Sequence, residues 1–126
     1  HTTAQTWMNA QTTCMSEMGH LVTILSDAED SFVGGMAPFA GQFNDIWIGA
    51  TDGRANNDTN GPGTYRWVTT EPFNYHPWAP GQPDGFCDPC QMPMTCTCDH
   101  RATLASDATW SDWFGDNPRN FVCESP

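Results

Sequence analysis

The chain has 126 residues, and its 38% hydrophobic and 12% aromatic content excludes an intrinsically disordered protein. Fifteen acidic residues stand against four arginines and no lysine, so the net charge of −11 argues against nucleic acid and anionic membranes as partners and favours cations. No apolar run approaches the ~20 residues that cross a bilayer. Six cysteines indicate an oxidising compartment, and we expect a single domain over residues 1–126 of a secreted or cell-surface protein without membrane insertion.

The first third of the chain predicts two helices with a strand between them. Apolar residues recur at spacings of three and four over residues 6–18, which predicts a helix that stops at Gly19. Residues 20–25 have the apolar, β-branched composition of a strand. Ser26 and Glu29 then form a capping box, which predicts a second helix that ends at the following Gly-Gly pair.

The remainder predicts short strands separated by loops. A polar loop covers residues 51–63, and a longer irregular segment over residues 69–99 is rich in proline and holds four of the six cysteines. A loop of that length inside a compact domain is usually functional. The predicted strands cover residues 46–49, 65–68, 102–104 and 120–123.

The motifs along these segments follow the order of a known family. They are Trp7-Met8-Asn9-Ala10 with Cys14, residues 19–24 with Ser26 and Glu29, Trp47-Ile48-Gly49, Trp78, Pro80-Gly81-Gln82-Pro83-Asp84, Trp110-Ser111-Asp112, and Phe121-Val122-Cys123-Glu124. In this order the chain resembles a C-type lectin domain over essentially its whole length. The resemblance implies an α+β fold, the C-type lectin-like fold, in which two helices flank antiparallel strands and a long calcium-binding loop carries the site. Only six residues precede Trp7, so the family's first strand is expected to be shortened or missing.

The resemblance also implies a calcium site. Gln82-Pro83-Asp84 offers an amide oxygen and a carboxylate around a proline whose peptide bond is cis in the family, and Asp112 adds a carboxylate. Counting back from Trp110 without gaps, Asp99 falls where the family has its loop glutamate, with Asp88 as the alternative. Ser111 replaces the usual asparagine, and its hydroxyl can ligate weakly or bond to a sugar but cannot do both as an amide does. Gln-Pro-Asp is also an ordinary turn sequence.

The order of these ligands implies a sugar preference. An amide before a carboxylate resembles binders of galactose and N-acetylgalactosamine, in which two neighbouring sugar hydroxyls coordinate Ca²⁺ directly. Phe86 stands where galactose binders carry a stacking tryptophan, and the alternative is that its ring only packs the loop. The expected sugar-binding residues are therefore Gln82, Asp84, Phe86, Ser111 and Asp112. We expect a non-enzymatic binder of galactose-type glycans on glycoproteins, glycolipids or polysaccharides. The alternative is a C-type lectin-like module that binds protein or ice without sugar.

A second calcium ion is a further expectation. Asp52 matches a ligand of the family's auxiliary site, and Asn56 and Asp58 add oxygen atoms in the loop that follows. The alternative is that these side chains only solvate a turn.

The cysteines fall into two sets. The resemblance implies a disulfide between Cys14 and Cys123, whereas the family's second disulfide is missing. The loop cysteines are Cys87, Cys90, Cys96 and Cys98. Their three possible pairings are not distinguished by the sequence, although a bond from the first two to the last two is sterically easier than one within the last pair. With His100, the same four residues alternatively suit a zinc site.

Overall fold

The computed structural model describes residues 1–37, 45–55, 58, 63–87 and 97–125. Its elements are α1 (Trp7–Ser16), β1 (His20–Leu21), α2 (Asp27–Gly34), β2 (Asp45–Thr51), β3 (Arg66–Trp67), β4 (Asp99–Ala105), β5 (Trp110–Phe114) and β6 (Cys123–Glu124). An antiparallel four-stranded sheet has the order β3-β2-β4-β5, and β1 pairs with β6 in a separate two-stranded sheet. The predicted α+β class is therefore confirmed. None of the described helices has the length and apolar character required to span a membrane.

Both helices begin at side-chain caps. The Thr6 hydroxyl accepts a hydrogen bond from the Asn9 backbone N–H at 3.2 Å, and this bond satisfies one free donor of the first turn of α1. At α2, the Ser26 hydroxyl accepts from the Glu29 N–H at 3.2 Å, while the Glu29 carboxylate accepts from the Leu25 N–H at 3.1 Å. The capping interaction expected at Ser26 and Glu29 is therefore present.

The end of α1 differs from the prediction. The helix ends at Ser16, and the left-handed backbone conformation falls on Met18, whose φ is 63°, not on Gly19. Gly19 is required for another reason, because a Cβ atom at this position would lie 2.5 Å from the Glu124 carbonyl oxygen. This glycine therefore allows β6 to approach the end of α1 closely.

The strands differ from the prediction mainly in length. β1 is shorter than the predicted residues 20–25 because only its first two residues pair with β6. β4 is longer than predicted because it lies between β2 and β5 and pairs with both. β5 was not predicted as a strand. The shortened first strand is a single bridge, in which Gln5 and Arg119 exchange backbone hydrogen bonds of 2.9 and 3.0 Å.

The apolar core lies on both faces of the larger sheet. Ile46 and Ile48 of β2 join a cluster with Leu104 and Trp110, whereas Trp47 between them joins a second cluster that includes Trp7 of α1. Successive side chains of a strand point to opposite faces, which explains this division. The second cluster contains the Cys14–Cys123 disulfide, which ties α1 to β6. The sheet is thus held from both sides, and the edge where β4 begins is free to carry the site.

Candidate functional site

The proline-containing loop is fixed to β5 by one carboxylate. The Gln82–Pro83 peptide bond is cis, as the resemblance implies. Directly after it, the backbone N–H groups of Asp84 and Gly85 donate to Oδ1 and Oδ2 of Asp112 at 3.1 and 2.7 Å. Asp112 is buried and Asp84 is exposed. The buried carboxylate therefore positions the loop and brings Asp84 beside the middle of β5.

Asp99 reaches the same place from β4. Its backbone N–H donates to the Phe86 carbonyl oxygen at 2.9 Å, and the residue before it forms the Cys87–Cys98 disulfide. Carboxylate oxygens of Asp84, Asp99 and Asp112 lie within 4.8 Å of one another. We call these three residues the carboxylate cluster. The structure thus brings together three residues that the sequence separates by as many as 28 positions.

The predicted amide ligand lies beside the cluster. Oε1 of Gln82 is 3.4 Å from the Asp112 backbone nitrogen, and its Nε2 is 3.5 Å from Oδ2 of Asp84. Ser111 is placed differently. It pairs with Thr103 while Asp112 pairs with Ala102, and strand alternation puts Ser111 on the face of β5 opposite Asp112. Four of the five predicted ligands therefore gather at one point, and Ser111 is directed elsewhere.

The electrostatics of the cluster favour a cation. Burial and, to a smaller extent, the nearby Asp84 carboxylate raise the pKa of Asp112 to about 6, although the backbone N–H groups of Gly85 and Asp84 act to lower it. Grouped hard oxygen donors from carboxylates and an amide are the ligands that Ca²⁺ prefers, so the residues present fit this ion.

A comparison with known proteins bears on the same residues. The family model described as Lectin C-type domain matches residues 3–125. The chain belongs to the C-type lectin family. It is therefore a binding protein and not an enzyme, as the sequence predicted.

Individual members of the C-type lectin family support this assignment. Regenerating islet-derived protein 3-alpha of Mus musculus is 32% identical over 97% of this chain and 66% of its own length. Type-2 ice-structuring protein of Hemitripterus americanus is 35% identical over 88% of this chain and 56% of its own length. The chain therefore spans less than two thirds of either relative. The human scavenger receptor C-type lectin carbohydrate-recognition domain shares the fold, with a TM-score of 0.75 at 22% identity, over 100% of this chain and 88% of that one.

The expected auxiliary calcium ligand has other partners in this C-type lectin chain. Asp52 is buried, and its Oδ2 lies 2.7 Å from Nδ1 of His100. Its two oxygens also accept from the backbone N–H groups of Arg54 and Gly63, both at 3.0 Å. The Asp58 carboxylate is 3.9 Å from the Arg54 guanidinium. The Asp52 carboxylate is thus directed at internal donors, and the expectation that it ligates an auxiliary ion stays a prediction.

Several predicted positions lie outside the described residues. They are Asn56, Asp88, Cys90 and Cys96. Cys87 and Cys98 form a disulfide, a pairing of the kind that steric reasoning favoured. This bond takes up two of the four thiolates that the alternative zinc site requires, so a zinc site built from all four loop cysteines is wrong.

Phe86 is the exposed aromatic residue next to the cluster. Its side chain is 56% exposed, while its backbone is held at both ends by Asp84 and Asp99. The ring presents an apolar surface to solvent beside the carboxylates.

Sequence reasoning missed the role of His100 as the partner of Asp52. The available signal was the position of a histidine inside a strand next to a predicted ligand. Because Asp52 and His100 are 48 residues apart, their pairing depends on the register between β2 and β4, which the sequence pattern does not fix.

Proposed function

We propose that the chain is one carbohydrate-recognition domain, over residues 1–126, that binds galactose-type glycans in a calcium-dependent manner. The observation that carries the proposal is the carboxylate cluster with the Gln82 amide beside it. Gln82, Asp84, Asp99 and Asp112 are the residues that would hold the ion. We leave Ser111 out of this set because it lies on the opposite face of β5.

The cluster supports an ion for an energetic reason. Burial and, to a smaller extent, the nearby Asp84 carboxylate raise the pKa of Asp112, so the cluster favours its ionised form poorly on its own, and a divalent cation offsets the repulsion between the carboxylates. When bound, Ca²⁺ supplies open coordination positions for a pair of sugar hydroxyls. The Gln82 amide can donate a hydrogen bond to one sugar hydroxyl, and the Asp84 carboxylate can accept a hydrogen bond from the neighbouring hydroxyl.

The galactose preference depends on two features. Gln82 precedes Asp84, which places the donor before the acceptor along the loop. Phe86 offers an exposed ring on which the apolar face of galactose can stack. The expected partners are terminal galactose or N-acetylgalactosamine residues of glycoproteins, glycolipids or polysaccharides. The disulfides Cys14–Cys123 and Cys87–Cys98 support an extracellular location for this binding.

A glycan array probed with Ca²⁺ and with EDTA tests the proposal. We expect binding to terminal galactose that EDTA abolishes, and no binding by Asp84→Asn. Asp107→Asn is the matched control, because Asp107 also accepts from the backbone N–H two residues ahead, at 3.0 Å, but lies at the turn between β4 and β5. Galactose binding that survives in Asp84→Asn would contradict the mechanism.

A second function has support from one observation. The ice-structuring relative, at 35% identity, shows that this family includes a protein whose name refers to ice. If the chain binds ice and not sugar, the array stays empty and a thermal hysteresis measurement detects activity that EDTA leaves unchanged. The two functions are thus separated by their response to calcium removal.

A further inference from the structure

His100 is completely buried and is bonded on both sides of its ring. Nδ1 lies 2.7 Å from Oδ2 of Asp52, and Nε2 lies 2.7 Å from the carbonyl oxygen of Asp58. The side chains of His100 and Asp52 both have 0% exposure. A carboxylate and a carbonyl oxygen both accept hydrogen bonds, so the imidazole ring is the only group in this arrangement that can donate.

These hydrogen bonds connect Asp52, directly after β2, with Asp58 further along the chain. Asp52 follows β2 directly, and its carboxylate also accepts from the backbone N–H groups of Arg54 and Gly63 at 3.0 Å. Through His100, this carboxylate and the Asp58 carbonyl oxygen are both attached to β4. We call His100, Asp52 and the Asp58 carbonyl the histidine clamp.

The clamp acts directly beside a member of the carboxylate cluster. Asp99 precedes His100, and the register of β4 against β5 shifts between Asp99 and Arg101, which places His100 at a bulge. Bulges redirect neighbouring side chains and are common next to functional sites. The His100 carbonyl oxygen is held as well, by the Thr51 hydroxyl and the Arg101 guanidinium, each at 3.1 Å. On its other side Asp99 is attached to Cys98 and so to the Cys87–Cys98 disulfide.

We propose that His100 is a positioning residue for the cation site, and that the histidine clamp holds Asp52 and the Asp58 carbonyl against β4 in place of the auxiliary ion expected at Asp52. The clamp fixes the bulge, and the bulge directs the Asp99 carboxylate at Asp84 and Asp112. This inference rests on the proposed function. A chain with a broken clamp keeps all four proposed ligands but holds Asp99 less well, so its calcium affinity falls.

Calcium titration calorimetry on the whole chain tests this role. We expect His100→Gln and Asp52→Asn each to weaken calcium binding about tenfold, the effect typical of residues that orient metal ligands. The double variant should lose no more than the weaker-binding single variant, because both changes break one clamp. His20→Gln is the matched control: His20 also bonds through Nδ1 to a carbonyl oxygen, that of Leu21 at 2.8 Å, but it lies in the other sheet. The control should bind calcium as the wild type does.

Three results would overturn the inference. They are unchanged calcium affinity in His100→Gln, losses that multiply in the double variant, and a decrease in the number of bound ions in Asp52→Asn. The last of these would make Asp52 a ligand. A wild-type chain that binds no calcium would instead overturn the proposed function.

An NMR measurement tests the clamp in the absence of calcium. It uses the wild-type chain, so it does not depend on the folding of a variant. In the ¹⁵N-labelled wild-type chain, NMR should show a slowly exchanging ring N–H proton on His100, because the ring is buried and hydrogen-bonded. A ring proton that exchanges as fast as that of an exposed histidine would contradict the clamp from which the inference begins.

Discussion

The carboxylate cluster and the histidine clamp use the same functional group in opposite ways. In the cluster, oxygens of Asp84, Asp99 and Asp112 lie within 4.8 Å of one another, so like charges face each other. In the clamp, the Asp52 carboxylate faces the His100 ring and two backbone N–H groups. The comparison teaches that the type of residue does not decide whether an aspartate suits an ion. Both Asp112 and Asp52 accept from two backbone N–H groups, and what distinguishes them is the third neighbour: further carboxylates face Asp112, whereas the His100 ring faces Asp52.

The difference in stability between the two regions is the largest effect we predict. Asp52→Ala leaves His100 buried without its carboxylate partner, and loss of one member of such a pair costs about 3 kcal/mol. Asp84→Ala removes an exposed carboxylate from a group of like charges, so its effect in EDTA should stay within about 0.5 kcal/mol. Urea denaturation of both variants measures the difference. Equal losses in the two variants would show that the clamp is no more structural than the cluster.

Calcium should narrow this difference in stability. At a free calcium concentration of about 100 times Kd, a single ion bound only by the folded chain adds about 2.7 kcal/mol to the free energy of unfolding. The wild-type Tm should therefore rise by several degrees on addition of calcium, as measured by calorimetry. Asp84→Asn should show no such rise, while the control Asp107→Asn keeps it. A Tm that responds to calcium in Asp84→Asn would place the ion elsewhere.

Much of the fold could be predicted from the sequence because it depends on local signals. The helix caps at Thr6 and Ser26 are each formed within a few residues, and apolar spacing identified α1. The order of the motifs alone predicted that Gln82, Asp84 and Asp112 belong to one site. The sequence is therefore sufficient to predict those parts of the fold and the site that depend on neighbouring residues or on the order of the motifs.

The features that sequence reasoning missed depend on tertiary contacts. The sequence of β5 does not show the apolar pattern of a strand. Its next buried residue after Trp110 is Asp112, whose side chain is a carboxylate. The pairing of Asp52 with His100 requires the register between β2 and β4, which the sequence pattern does not fix. Hydrogen-bond satisfaction of buried polar groups is set by the assembled fold, so a single sequence does not reveal it.

The pH dependence separates the two regions with a smaller effect. Because burial raises the pKa of Asp112 to about 6, a proton competes with calcium at the cluster below that pH. Calcium affinity should fall about tenfold as the pH drops from about 7 to about 5, since one pKa unit corresponds to a tenfold change in the ionised fraction. In EDTA the sign is opposite. The folded chain binds this proton more tightly than the unfolded chain, so the contribution of Asp112 to stability is present at low pH and is lost as pH rises through about 6. Calorimetric titrations over this range check the first statement, and a calcium affinity independent of pH would contradict it.

The smallest predicted effect concerns Tyr65, which lies close to both regions. Its hydroxyl is buried and has no hydrogen-bond partner among the described residues. Burial raises the pKa of this phenol, and the carboxylates of Asp112 and Asp52 raise it further, which places the ring near an aspartate of each region. Tyr65→Phe removes an unsatisfied polar group and keeps the ring, including its edge contact with Trp78 at 4.9 Å, so it should stabilise the chain in EDTA by about 1 kcal/mol.

Urea denaturation of Tyr65→Phe in EDTA and in calcium shows which region the hydroxyl serves. A stabilisation of about 1 kcal/mol in both conditions means that neither region uses the hydroxyl. A loss of stability in EDTA would show instead that the hydroxyl has a partner in the folded chain. If the gain in EDTA becomes a loss in calcium, the hydroxyl contributes to the ion-bound cluster. Tyr65 would then belong with the carboxylate cluster, while Asp52 belongs to the histidine clamp.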